Sequence, residues 1–378
     1  MKIAIRGMGT ALPAASIDQA DAAFAADRLR RFDEGTAGDK RSQMLSILYR
    51  RSGVKKRYCI LLGSTFGDPI GRQSFYEVTQ DPEFRGPSTK ERMTKYAMHA
   101  PELAEQACRA SLEDAACKPG EITHLVTVSC SGFSAPGFDL DLYPRLGLNP
   151  SASRTHVGFM GCHGFLNGLR VARAYAASDP KAKVLVCALE LCTLHHQYSD
   201  DPQQIVANSL FADGAASVVV ESVVENDPST TSSNGENCYG DFRASGSYRI
   251  ADSEEMMTWK IGDHGFQMSL SAQVPETIQR ELKPWVVNWL AGYGLKFEEI
   301  KHWAIHPGGP RILSATAESL GLPAGATDIS TNVLAECGNM SSPTILFILD
   351  RMKKAGLRPP IVALAFGPGL VVEAALFA

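Results

Sequence analysis

Across 378 residues there is no uninterrupted apolar run of the roughly 18 residues that a membrane-spanning helix requires, so no membrane insertion is expected. Neither sign of charge dominates. Thirty-seven Lys and Arg against 41 Asp and Glu leave a formal charge of −4, which provides no basic field for nucleic acid and no acidic tail. Nine cysteines, at positions 59, 108, 117, 130, 162, 187, 192, 238 and 337, form no C-x-x-C pair and no zinc-like spacing, so no metal site is expected. An odd number of scattered thiols suits a reducing cytoplasm better than a disulfide framework. The opening Met1-Lys-Ile-Ala-Ile-Arg-Gly7 carries charge inside its apolar stretch and reads as a first strand, not a signal peptide.

Hydrophobic residues make up 44% of the chain and charged residues 21%, which suits one large α/β domain or two packed units. Residues 14–60 mix helical patches with the basic run Arg50-Arg-Ser-Gly-Val-Lys-Lys-Arg-Tyr58, which reads as a solvated face or a phosphate contact. Residues 61–87, rich in Gly, Pro and Asp, read as a loop. Ser88-Thr-Lys-Glu91 has the spacing of a capping box and should open a helical region, interrupted near Pro101, that runs to about Cys117.

From Glu121 one pattern occurs twice. Glu121-Ile-Thr-His-Leu-Val-Thr-Val128 is a buried-strand run followed by a Gly/Pro loop and a segment ending Arg145-Leu-Gly-Leu148. Glu299-Ile-Lys-His-Trp-Ala-Ile-His306 repeats it, ending Ser319-Leu-Gly-Leu322. Val184-Leu-Val-Cys-Ala-Leu189 then matches Ile361-Val-Ala-Leu-Ala-Phe366, and the Gly214 strand matches the Gly369 strand. Two halves follow, residues 1–225 and 226–378, with the polar stretch Glu225 to Glu236 as their junction. Strand runs without polar alternation, separated by helical segments, predict α/β layers. The stretch between Glu190 and Asp213 has no partner in the second half and should cap the site.

Cys162 lies in Gly161-Cys-His-Gly164, where a buried helix begins. It is either a small inert core thiol or a nucleophile whose thiolate is favoured by the helix N-terminus. The repeat spacing carries Cys162 onto the turn Gly338-Asn339. His306, at a strand end before Pro307-Gly308-Gly309-Pro310-Arg311, is either a core histidine or a member of the same centre. A Cys-His-Asn set has a definite use: imidazolium favours thiolate, the thiolate takes an acyl group from a thioester, and two N–H donors meet an enolate oxygen.

The whole chain resembles the type III polyketide synthases of bacterial type, the chalcone-synthase-like branch of the thiolase fold. The resemblance rests on Gly161-Cys162, Phe211-Ala-Asp-Gly214, Gly262-Asp-His-Gly-Phe266, His306-Pro-Gly-Gly-Pro310, Gly338-Asn-Met-Ser-Ser342 with Leu346-Phe-Ile-Leu-Asp350, and Phe366-Gly-Pro-Gly369. It implies two similar βα halves packed as a five-layered α-β-α-β-α core. It also implies Cys162 as the acyl-carrying nucleophile, His306 and Asn339 as its partners, and Phe211 as an aromatic gate. Phe366, Gly367 and Pro368 would shape the cyclisation chamber, Gly308, Gly309 and Arg311 would pass the pantetheine arm, and Cys130 and Ser341 would line the cavity. Met268 stands where plant members place a second gate phenylalanine, Trp259 where glycine is usual, and His195 where a small hydroxylated residue is usual. Both larger residues should remove volume from one side of the chamber.

The implied activity is iterative decarboxylative condensation of malonyl-CoA onto an acyl-CoA starter, aliphatic in the bacterial pattern, closing to a pyrone, resorcinol or phloroglucinol-type product. No nicotinamide, flavin or metal is implied. The family is homodimeric, with the segment around Ala135 reaching the partner's cavity. Arg50 or Arg51 is the match to CoA phosphates that the resemblance implies, while Met44 and Ile47 stand where cations would be, which leaves an acyl carrier protein open as donor. Two other functions stay open: a single-round synthase of the ketoacyl-carrier-protein synthase III type, and a non-catalytic acyl-thioester-binding or redox-sensing protein. Cys187, Cys192 and Cys337 read as core or wall thiols, His163 as pointing away from Cys162, and Trp285 with Trp289 as packing.

Overall fold

The computed structural model describes residues 2–30, 36–223 and 239–378; the junction stretch 225–236 and Cys238 lie outside them. The first half runs β1 (Lys2–Ala11), β2 (Ser16–Asp18), α1 (Gln19–Leu29), α2 (Thr36–Arg51), β3 (Lys56–Tyr58), α3 (Thr89–Asp114) and β4 (His124–Ser129). It continues through α4 (Phe138–Leu146), β5 (Ser153–Gly158), α5 (Gly164–Ser178), β6 (Lys183–Leu191), α6 (Pro202–Leu210) and β7 (Asp213–Val223). The second half runs β8 (Phe242–Arg249), β9 (Met257–Gly262), β10 (Gly265–Leu270), α7 (Val274–Ala291), β11 (His302–Ile305) and α8 (Pro310–Leu320). It ends with α9 (Asp328–Cys337), α10 (Thr344–Lys354), β12 (Ile361–Gly367) and β13 (Val371–Phe377).

The duplication is visible in the strand order. One sheet runs β1-β7-β6-β4-β5 and the other β8-β13-β12-β11. In both, one parallel pair (β4 with β6, β11 with β12) adjoins two antiparallel pairs. Among the described residues only β5 lacks a counterpart, and the chain between α8 and α10 is the helix α9 instead.

Five layers follow from which side chains pack together. Ala172 of α5 and Ile348 of α10 share one buried cluster with Val126 of the first sheet and Ala363 of the second, so these two helices fill the middle. Ala104 and Ala107 of α3 cover the outer face of the first sheet with Leu125 and Leu185. Ile278 and Leu282 of α7, with Leu313 of α8, cover the outer face of the second with Val362 and Leu376. The strands β4, β6, β7, β12 and β13 are buried on both faces, as their nearly continuous apolar runs require.

Helix α3 opens on the expected capping box, with Ser88 and Glu91 satisfying each other's backbone N–H groups. It is not interrupted at Pro101 and ends at Asp114. Proline removes one backbone hydrogen bond, but Tyr96, Ala100, Leu103, Ala104 and Ala107 form a continuous buried face on either side of it, and that face holds both halves of the helix to the sheet. Tyr248, Trp285 and Trp289 stack in a row, 5.6 and 5.8 Å apart, a packing feature of the second half's outer layer.

Candidate active site

Cys162 lies in a single 3-10 turn, Gly161–His163, that runs directly into α5. Gly161 has φ +76°, and a side chain on it would meet Pro368 at 2.5 Å, so the turn needs glycine. The thiol is buried, and burial pushes it up to about 11, against hydrogen bonding with Ser341 and Asn339 that pulls it down. Loss of water around the sulfur thus opposes the thiolate that the helix start favours.

His306 follows β11, its N–H bonded to the Leu364 carbonyl (2.8 Å). It is fully buried, and burial followed by the nearby His163 pushes its imidazole down to about 3. Neither ring nitrogen has a hydrogen-bond partner among the described residues, so the reading of a core histidine tied to backbone through its ring does not hold. Burial thus moves the thiol up and the imidazole down, each away from its charged form.

Asn339 sits in the turn before α10, equivalent to the Cys162 turn before α5. Its Oδ1 accepts from the Ser341 N–H (2.8 Å), which leaves the Nδ2 group as the end that donates. Its main chain is bonded on both sides to the end of α6: Asn339 N–H to the Leu210 carbonyl and Ala212 N–H to the Asn339 carbonyl, each 2.9 Å. Phe211 lies between those partners and forms a bridge with Asn339.

An apolar cavity of about 120 Å³, partly open to solvent, adjoins this centre. Ala22, Ala26 and Leu29 of α1, Tyr49 of α2, the segment from Cys59 to Tyr76, Ala207 of α6 and the β9–β10 hairpin enclose it. Phe211, Met268, Trp259, His195 and Cys192 all line it. Cys162, His306 and Asn339 are not on its wall. Phe211 adjoins them through its bridge to Asn339, and Cys192 lies within electrostatic reach of Cys162.

Trp259 and His195 line the cavity, and each is fixed by its polar atoms. Trp259 Nε1 donates to the Cys130 carbonyl (2.8 Å). His195 Nδ1 accepts from the Phe266 N–H (3.0 Å), so Nε2 carries the proton and donates to the Ser131 carbonyl (2.6 Å). Its ring stacks on Phe266 at 4.1 Å, and burial pushes it down to about 3. Met268 pairs directly across the hairpin from Trp259.

Other expected site residues fall elsewhere. Phe366 does not face the chamber; as a member of β12 it points into the outer core of the second half. Gly367 and Pro368 brace the nucleophile turn from behind. The His163 ring would lie 2.2 Å from a side chain on Gly367, and Pro368 packs on Gly161. His163 Nδ1 bonds Asn167 (2.8 Å), away from Cys162 as expected. Gly308, Gly309 and the exposed Arg311 lie at the start of α8 and not on the cavity wall, with Pro310 against Gly53. Cys130 Sγ approaches Ser341 Oγ (3.4 Å), and Ser341 adopts φ +57°, strained for a residue with a side chain.

Glu190 and Arg57 are among the buried ionisable residues that have no counterpart in the expectations. Glu190 accepts from the N–H groups of Cys130 and Ser131 and from the hydroxyls of Ser131 and Ser342, so it fixes the loop after β4 beside Ser341. One acidic residue ending the apolar run of β6 was the available signal. Arg57, within the basic run read as a solvated face or a phosphate contact, is only 8% exposed.

A doubled α/β core that sets a buried thiol and a carboxamide at matching turns, with an imidazole at the neighbouring strand end, defines a thiolase-like acyl-transferring enzyme. The chain belongs to the chalcone and stilbene synthase family: residues 2–224 match the family's N-terminal domain and residues 243–378 its C-terminal domain. It is a type III polyketide synthase. It is 33% identical over 380 residues to the α-pyrone synthesis polyketide synthase-like Pks18 of Mycobacterium tuberculosis, covering 99% of this chain and 90% of that one. It is also 33% identical over 274 residues to a 1,3,6,8-tetrahydroxynaphthalene synthase of Streptomyces peucetius, covering 72% and 71%. In structure it is similar to PKS-I of the brown alga Ectocarpus siliculosus, with TM-score 0.87, 26% identity and 99% and 97% of the two chains covered. The C-terminal type III polyketide synthase domain of Steely1 from Dictyostelium gives TM-score 0.86 at 26% identity, covering 99% and 98%.

Proposed function

We propose that this enzyme loads an aliphatic acyl group from acyl-CoA onto Cys162 and extends it repeatedly with malonyl-CoA before ring closure to a pyrone, resorcinol or phloroglucinol-type product. Transfer to Sγ breaks the CoA thioester and releases the CoA thiol. Malonyl-CoA then loses carbon dioxide, and its carboxylate electrons form an enolate. The enolate oxygen is met by the His306 N–H and Asn339 Nδ2, the carbon attacks the acyl-cysteine carbonyl, and Cys162 leaves as thiolate. A neutral imidazole, which burial favours, still supplies one N–H donor. No resident cofactor is needed in this scheme.

The observation that carries the reading is Asn339: its Oδ1 is occupied by Ser341, so its donor end is the one turned to the Cys162 thiol. The apolar cavity walled by Phe211, Met268 and Trp259 supports an aliphatic starter over an acidic or strongly polar one. Arg50 and Arg51, exposed at the end of α2, are suited to CoA phosphates, although an acyl carrier protein is an equivalent donor of the same thioester. A homodimer is supported by β5, a largely exposed strand at its sheet's edge. Phe133 and Phe159, 53% and 39% exposed, stand together beside the Phe266 ring and add apolar surface. Eight described cysteines, all unpaired, suit a cytoplasmic setting.

Incubation with malonyl-CoA and a panel of acyl-CoAs of increasing chain length, read by mass spectrometry, tests the scheme. Cyclic products carrying two or more malonyl-derived units are expected. A linear product with a single added unit would identify a one-round synthase instead.

A further inference from the structure

We propose that Arg57 is a positioning residue that makes the Phe211 gate and the Asn339 donor one mechanical unit. The inference rests on the reading of Asn339 as a donor to the enolate. Strand β3 sets Arg57 opposite Ile17 in a two-stranded sheet, remote in sequence from every reactive residue. Its guanidinium turns inward, over the Tyr49 ring (5.6 Å), and donates from Nη1 to the main-chain carbonyls of Asn208 and Phe211, the latter at 3.1 Å.

Those two carbonyls belong to the last turn of α6 and its C-cap, where backbone acceptors have no helical partner. A cation there also faces the negative end of the helix dipole. Its charge thus has a local use that a surface arginine would not have.

The same peptide segment holds Asn339. Leu210 accepts from the Asn339 N–H, Ala212 donates to the Asn339 carbonyl, and Arg57 grips Phe211 between them. A second contact comes from the other side. A side chain on Gly338 would meet Ala212 Cβ at 2.8 Å and Arg57 Cβ at 3.1 Å, so the turn carrying Asn339 is pressed between the two. Loss of the guanidinium leaves the Phe211 peptide without its donor, and the Asn339 main chain follows it. The carboxamide then misses the enolate oxygen, while Cys162, held by its own turn and Pro368, stays in place.

Full-length wild type, Arg57→Met, Arg57→Lys, Asn339→Ala and the Arg57→Met/Asn339→Ala double variant are compared for malonyl-CoA decarboxylation. Arg57→Met is expected to lower kcat by about 10- to 100-fold with KM changed less than about twofold, since misplacing a stabilising group acts on the transition state. Arg57→Lys should recover most of the loss. In the Asn339→Ala background, Arg57→Met should cost less than about twofold, because the group it positions is already gone. If Arg57→Met folds poorly, Arg57→Lys carries the same cycle, and its smaller loss must also vanish without Asn339. Full additivity alongside a normal Asn339→Ala defect, or wild-type kcat in Arg57→Met, would overturn this inference alone. An Asn339→Ala enzyme as fast as wild type would overturn the functional reading and this inference together.

Discussion

The two halves share a sheet order and a middle helix, yet what each adds to that common core differs. Outside its sheet the first half carries α1, α2, the two-stranded β2–β3 sheet, the segment from Cys59 to Tyr76, and α6. The second half carries the β9–β10 hairpin. The reactive residues sit on the shared parts: Cys162 before α5, Asn339 before α10, His306 at the end of β11. The cavity sits between the unshared parts. Duplication set two matching turns near each other, and unmatched additions built the room beside them.

This contrast can be broken through pH. His306 belongs to the shared core and His195 to the additions, and burial pushes both down to about 3. A histidine in the unfolded chain titrates near about 6.5, so between roughly pH 6.5 and 3 the unfolded state binds protons that the folded state refuses. Their contribution is fully present above about pH 6.5 and falls on acidification by roughly 1.4 kcal/mol per pH unit for each ring. Asp213, pushed up to about 6 by burial, takes its proton first in the folded state and so opposes this loss below that pH. The informative readout is therefore the difference from a variant. Denaturant unfolding of His195→Asn at two pH values between about 5.5 and 4 should show a loss smaller than wild type by about 1.4 kcal/mol per unit. Equal losses would mean that His195 is protonated in the fold.

A smaller effect sharpens the same contrast at the cavity. Ala26 of α1 is 8% exposed and lies on the wall. Ala26→Phe should lower kcat/KM for long acyl-CoAs by about 10- to 100-fold and leave the shortest starters within about twofold, in line with the discrimination hydrophobic pockets achieve. A uniform loss at all chain lengths would place the acyl tail elsewhere.

Much of the core was legible because burial on both strand faces leaves a continuous apolar run, and such a run repeated at constant spacing reveals a duplication. Cys162 and Asn339 were legible for the same reason: they occupy equivalent turns. Arg57 was not. In sequence it is one of five basic residues between Arg50 and Arg57, and nothing local separates the one that turns inward from those that stay in water. The burial of Cys162 and His306 was not legible either, since a helix start is visible in a sequence and the depth at which it is buried is not. Phe366 was assigned to the chamber from its motif, but strand alternation in β12 turns it to the opposite layer. Pro101 failed as a breaker because tertiary packing on both sides outweighed one missing hydrogen bond.

The most direct measurement is the intact mass of the full-length protein after exposure to an aliphatic acyl-CoA, followed by addition of malonyl-CoA, in wild type and Cys162→Ala. The account predicts one acyl adduct in wild type, mapped to Cys162 and consumed as cyclic product appears, with neither adduct nor product in the variant. Product formation by Cys162→Ala at the wild-type rate, or an adduct mapped to another cysteine, would contradict it.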